Sequence, residues 1–165
     1  MNMDYLRFFP ILKERIWGGK YLADLYQKSD LENPIGEAWL ISGISDNYSD
    51  VIDNNGNVFS FKDIYQSNPT FFNPTGKGDF PLLVKYIDAM DKLSVQVHPT
   101  DEYAKKNKLG NGKTECWFVT EAIDDAELVI GHSATTKQEF KKAIDENKLS
   151  TLMVKAKVKK GDFVF

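Results

Sequence analysis

One cysteine, Cys116, is all the thiol this 165-residue sequence holds, and that scarcity excludes an internal disulfide. A lone thiol suits a reducing compartment, and the cytoplasm is the default location. Long apolar runs are missing as well. The opening Met-Asn-Met-Asp-Tyr-Leu-Arg-Phe-Phe-Pro has no basic n-region and no apolar stretch. It reads as neither signal peptide nor spanning helix, so no membrane role is expected. Nor is there a basic excess: 21 Lys and Arg stand against 24 Asp and Glu, a formal net charge of −3, with no sign of a nucleic-acid surface. The run Lys155, Lys157, Lys159 and Lys160 reads as the solvated face of a strand rather than a phosphate patch. Internal repeats, low-complexity tracts and long linkers are absent. What is present is an ordinary globular balance, 42% hydrophobic and 13% aromatic, long enough to bury a core.

Period-two patterning predicts strands at Arg7–Leu12, Ala38–Ser42, Leu82–Asp88, Leu93–His98, Glu115–Thr120, Glu127–Gly131, Leu152–Lys159 and Asp162–Phe165. Asp53-Asn54-Asn55-Gly56-Asn57 is a turn signal. Short helices are expected at Lys20–Tyr26, at Phe61–Gln66 capped by Ser60, and at Asp101–Lys106 capped by Thr100. The clearest helix is Lys137–Asn147, with Thr136 and Glu139 in a capping-box pattern. The expected fold is mainly β, a jelly-roll barrel with a few short helices. The chain ends inside the rising apolar segment Asp162–Phe165, which predicts a truncated barrel.

The most informative stretch is Leu93-Ser94-Val95-Gln96-Val97-His98-Pro99, followed by Gly112-Lys113-Thr114-Glu115-Cys116-Trp117. Alternation on a strand puts Ser94, Gln96 and His98 on one face and Leu93, Val95 and Val97 on the other. Lys113 and Glu115 share a face for the same reason. An amide oxygen, an imidazole nitrogen and a carboxylate make the mixed N/O set that a catalytic zinc accepts. The bland reading is a half-exposed polar strand beside a surface salt bridge between Lys113 and Glu115. Against it, Pro99 ends the strand at its mouth, and Glu115 is a charge in an aromatic-rich segment, where a bare buried carboxylate is costly. Lys85, alone in an apolar strand, reads as an edge-strand lysine. His132 reads as a surface-turn histidine and Cys116 as core. Trp17 with Gly18-Gly19, and Trp39, are expected to pack one end of the barrel. Nothing local argues for Glu37 in a pocket.

These motifs resemble the paired signatures of type I mannose-6-phosphate isomerase, a zinc enzyme of the cupin superfamily. Phe9-Pro10, Ile16-Trp17-Gly18-Gly19, Gly36-Glu37-Ala38-Trp39 and Pro81-Leu82-Leu83-Val84-Lys85 fit the family's N-terminal half as well. The resemblance spans essentially all of residues 1–165, as one catalytic cupin-like domain that stops before the second cupin motif is complete. It implies interconversion of mannose 6-phosphate and fructose 6-phosphate through an enediol, with one Zn2+ per chain. It makes Gln96, His98 and Glu115 three of the family's four protein zinc ligands. It places Ser94, Lys85 and Lys113 along the sugar-phosphate pocket, Lys113 being also the catalytic candidate. The family's fourth ligand, a histidine, and its active-site arginine would both lie beyond Phe165. The partner implied is a small sugar phosphate, with the protein a monomer or weak homodimer. The alternatives are a non-catalytic cupin-like sugar-binding module and an inactive fragment of the isomerase.

Overall fold

The computed structural model describes residues 4–28, 30–44, 46–72, 78, 80–123 and 125–165. The first three residues of the segment read for a targeting signal lie outside that set. Two compact units are distinguished, Met1–Leu93 and Ser94–Phe165.

In the first unit the strands are β1 (Leu6–Phe8), β2 (Ile11–Gly19), β3 (Ile35–Ile44), β4 (Asn47–Tyr48), β5 (Asp50–Asp53), β6 (Val58–Ser60) and β7 (Leu83–Ile87). Helices α1 (Tyr21–Leu25), α2 (Phe61–Ser67) and α3 (Pro69–Phe72) connect them. Strand β3 lies between β2 and β7, antiparallel to both, and also pairs with β4. A second sheet runs β1-β5-β6.

Register makes the β2–β3–β7 sheet two-faced. Leu12, Ala38 and Tyr86 stand opposite one another and pack with Leu22, Ala23 and Ile35 in one apolar cluster. The next positions along, Lys13–Glu37–Ile87 and Ile11–Trp39–Lys85, project from the other side. The second cluster is built on Val51, Phe61 and Ile64, with Phe8, Tyr48, Tyr65, Phe72 and Phe80 around them. Between β5 and β6 the Asp53–Asn57 turn forms as expected. The Asp53 carboxylate accepts from the amides of Asn55 and Asn57, and Gly56 supplies the left-handed residue at φ 84°.

In the second unit, helix α4 (Asp101–Lys106) precedes β8 (Trp117–Phe118), β9 (Glu127–His132), α5 (Lys137–Asp145), β10 (Met153–Lys157) and β11 (Phe163–Val164). A single 3-10 turn covers Leu149–Leu152. Strand β9 pairs with β10, and β8 with β11. The caps predicted for α4 and α5 form: Thr100 Oγ1 accepts from Tyr103 N and Thr136 Oγ1 from Glu139 N. The Glu139 carboxylate accepts from the backbone of Thr136, as a capping box requires, and also from the backbone and hydroxyl of Thr135. Ser60 makes no side-chain cap on α2. The lysines of β10 are solvated as expected, Lys155 pairing with Glu127 and Lys157 with Asp125.

Lys159 and Lys160 lie beyond β10, outside the strand expected to carry them, and other expectations differ too. Leu93–His98 joins no ladder among the described residues. Alternation requires only extended backbone, whereas a strand needs a neighbour for its amides, and Pro99 interrupts the run. Val95 and Val97 are accordingly 57% and 91% exposed rather than packed. The expected strand at Glu115 begins at Trp117, which leaves Cys116 outside the ladder and exposed rather than in the core. The first strand reading, Arg7–Leu12, divides into β1 and the longer β2. Strands β4 to β6 and helix α3 carried no pattern long enough to read.

Candidate functional site

Residues far apart in sequence meet at a glycine in the second unit. The chain leaves His98-Pro99, makes α4, and returns so that Lys113 N donates to Pro99 O at 3.0 Å and Gly112 N to Asp101 Oδ1 at 2.9 Å. A Cβ on Gly112 would lie 2.5 Å from Asp101 N and 2.7 Å from Thr100 C, so only glycine permits this approach. His98 and Lys113 therefore face each other across the closed loop.

Three charged or basic atoms converge there. His98 Nε2 lies 3.1 Å from Glu115 Oε2, Lys113 Nζ 2.7 Å from the same oxygen, and Lys113 Nζ 3.1 Å from His98 Nε2. The other carboxylate oxygen is anchored, because Trp117 Nε1 donates to Glu115 Oε1 at 2.9 Å. Partial burial pushes the Glu115 carboxyl up, but hydrogen bonds from Lys113 and Trp117 and the charges of Lys113 and His98 outweigh it. Its pKa falls below the ordinary glutamate value. Ser94 and Gln96 meet each other, with Gln96 Nε2 donating to Ser94 Oγ at 2.8 Å. The site is more open than expected, since Glu115 keeps 31% of its side chain exposed.

The donor chemistry fits a metal. Two ligand atoms at tetrahedral angles on zinc, each about 2.0–2.1 Å from it, stand roughly 3.3 Å apart, and His98 Nε2 and Glu115 Oε2 are at 3.1 Å. Among the described residues no group of three or more His, Cys, Asp and Glu could hold a metal. Two such donors, His98 and Glu115, meet here, while the Gln96 amide is turned to Ser94.

Lys85 belongs to another cluster, on the polar side of the β2–β3–β7 sheet. Its Nζ donates to Glu37 Oε1 at 3.1 Å, while Glu37 Oε2 accepts from Arg15 at 2.7 Å and from Trp39 Nε1 at 3.0 Å. Lys13 Nζ and Lys85 Nζ lie 4.7 and 5.5 Å from the Trp39 ring centre. Glu37 is 7% exposed. Burial pushes its carboxyl up, but the bonds from Trp39 and Lys85 and the charges of Lys85 and Arg15 together hold it below the ordinary value. Lys85 is thus an edge-strand lysine turned onto a buried carboxylate.

Replacing Glu37 with alanine should destabilise the protein by about 2–3 kcal/mol in urea unfolding. That is less than the ~3–5 kcal/mol for breaking a fully buried pair, because the Arg15 side chain is 36% exposed. A loss under about 0.5 kcal/mol would show the cluster to be surface decoration.

His132 sits exposed at the end of β9 with its ring against Phe140, in neither cluster. Sequence reasoning missed Trp117 as the carboxylate's anchor, although the same two-residue step that pairs Lys113 with Glu115 leads on to it. Arg15 had no local signal, because the β2 register shifts between Lys13 and Glu14. No helix among the described residues is long and apolar enough to cross a membrane.

The chain is similar to known proteins. The chain matches the family described as phosphomannose isomerase type I, catalytic domain, over residues 5–130. It is 42% identical over 160 residues to GmuF of Bacillus subtilis, covering 94% of this chain and 50% of that protein. It is 39% identical over 166 residues to the mannose-6-phosphate isomerase ManA of the same organism, covering 100% and 52%. The crystal structure of the mannose 6-phosphate isomerase from Bacillus subtilis superposes with a TM-score of 0.85 at 33% identity, over 96% of this chain and 51% of that one. That superposition bears out the mainly β, cupin-like fold class. The chain spans about half the length of the curated relatives it matches.

Proposed function

Because this chain belongs to the type I phosphomannose isomerase family, we propose that the protein interconverts mannose 6-phosphate and fructose 6-phosphate as a cytoplasmic enzyme of carbohydrate metabolism. The observation that carries the reading is the meeting of His98 Nε2, Glu115 Oε2 and Lys113 Nζ. An imidazole, a carboxylate and an ammonium thus meet at one point, more than the surface salt bridge of Lys113 with Glu115 would bring together.

In this reading Gln96, His98 and Glu115 hold one zinc ion. When bound, zinc supplies Lewis-acid stabilisation of the oxyanion that develops as a proton leaves carbon. The aldose and the ketose differ by a proton moved between C1 and C2 through an enediol. Lys113 is the side chain proposed to carry that proton: its Nζ accepts it as the neutral amine, after giving one proton to solvent, and returns it from the ammonium. Ser94 offers a hydroxyl to the phosphate, whereas Lys85, expected to supply charge there, is turned onto Glu37 in the first unit.

Metal removal tests the assignment. Treatment with a chelator should bring the rate in a coupled isomerase assay to background. Zinc should restore it and magnesium should not, since magnesium prefers all-oxygen octahedral sites. Full activity after chelation would overturn the zinc assignment. Sugar-phosphate binding with no turnover in any metal state would make the protein a binding module instead.

A further inference from the structure

The ammonium of Lys113 occupies the place of a cation. It touches both atoms that a metal would need, at 2.7 Å from Glu115 Oε2 and 3.1 Å from His98 Nε2. We propose that Lys113 competes with a metal for His98 and Glu115, that a bound metal displaces it, and that it thereby sets how tightly the metal is held. The inference rests on the zinc reading above and adds to it a residue that opposes the metal.

Lone pairs decide the matter. A neutral imidazole has one lone pair, in the ring plane, at its unprotonated nitrogen. An ammonium has donors and nothing to accept with. With Nε2 unprotonated, Lys113 donates to it at 3.1 Å and takes the one lone pair that a metal requires; with Nε2 protonated, that nitrogen donates to Glu115 Oε2 instead and has no lone pair for either cation. A metal ligand must likewise be a free carboxylate or a neutral imidazole. One Nε2 cannot serve both partners, so ammonium and metal exclude each other at His98. At Glu115 they share an oxygen, and there the two positive charges repel.

The same geometry says which group yields. Glu115 cannot readily swing away, because Trp117 fixes its other oxygen. His98 is the residue before Pro99, whose carbonyl is tied to Lys113 N. Lys113 is the most exposed of the three side chains, at 45% against 25% for His98 and 31% for Glu115. Its four-carbon stem turns freely where the others are held. When a metal arrives, the lysine moves and the ligands stay.

Zinc affinity, measured by competition with a chelator of known strength, tests this directly in the protein and its Lys113→Met variant. Methionine removes the charge and roughly keeps the length. Loss of competition and loss of repulsion act in the same direction, so the variant should bind zinc roughly tenfold tighter or more, on the scale of other changes beside metal ligands. Lys113→Gln should behave alike, and it replaces the methionine variant if that one fails to melt cooperatively. Equal or weaker zinc binding in a folded variant overturns this inference and leaves the zinc reading standing. No zinc bound by the protein or by either variant overturns the zinc reading, and this inference with it.

Discussion

Replacing Glu115 with alanine should abolish zinc binding and isomerase activity together while leaving the fold in place. Glu115 is the hub of its cluster: Oε2 meets His98 and Lys113, and Oε1 receives Trp117. In the proposed zinc site one imidazole and one amide oxygen would then remain to hold the metal, and the Lys113 ammonium loses its anion. A change beside a metal ligand costs about 10–100-fold in affinity or activity. Removal of a ligand should exceed that, so activity should fall at least about 100-fold, with zinc lost in the same preparation. Stability should change little, because the side chain is 31% exposed and lies in neither apolar cluster. Glu115→Gln keeps the shape and an acceptor oxygen but gives up the charge, and should fall between. An alanine variant that kept full activity would sink the isomerase mechanism proposed for these residues.

The largest effect on stability should come from Phe61→Ala, at the start of α2. Phe61 is 1% exposed. Its ring meets those of Phe8 at 4.8 Å, Phe80 at 4.9 Å and Phe72 at 5.7 Å, each edge to face. Tyr48 and Tyr65 close the set at 6.4 and 6.0 Å. Truncation of a buried phenylalanine costs about 3–5 kcal/mol, and edge-to-face pairs add to the burial. At about 4 kcal/mol the melting temperature should drop by roughly 8–16 °C for a chain of this size. Ile16→Ala is the control, being fully exposed, and should stay within about 0.5 kcal/mol. Similar losses for the two would show that this aromatic cluster is not the core of its unit.

Neighbours along the chain were more legible than the strands expected to carry them. Two-residue alternation put Ser94 beside Gln96 and Lys113 beside Glu115, and both contacts form. The same alternation predicted a strand at Leu93–His98, where no ladder is found, because side-chain period reports extended backbone and says nothing of a neighbour. Strands β4 to β6 escaped because they are two to four residues long, among Asn and Asp that read as turns. The Glu37 cluster lay beyond local reading for a different reason. Lys13, Glu37 and Lys85 are far apart in sequence, and antiparallel register brings them together. A buried carboxylate gives no sign in its own segment of the cations that will neutralise it. The helices with real caps, α4 and α5, were legible because a cap is a bond between near neighbours.

Trp39 gives the first unit a built-in optical gauge. Its indole N–H rests on the Glu37 carboxylate, with the ammonium groups of Lys13 and Lys85 within 5.5 Å of its ring centre. The emission energy of an indole follows the electric field across its long axis, and here that field is set by charges on three different strands. Any event that draws the Lys85 ammonium toward an anion changes that field without breaking a single backbone contact. The residue that helps hold the ion cluster in place therefore also makes its rearrangements visible, with no label added.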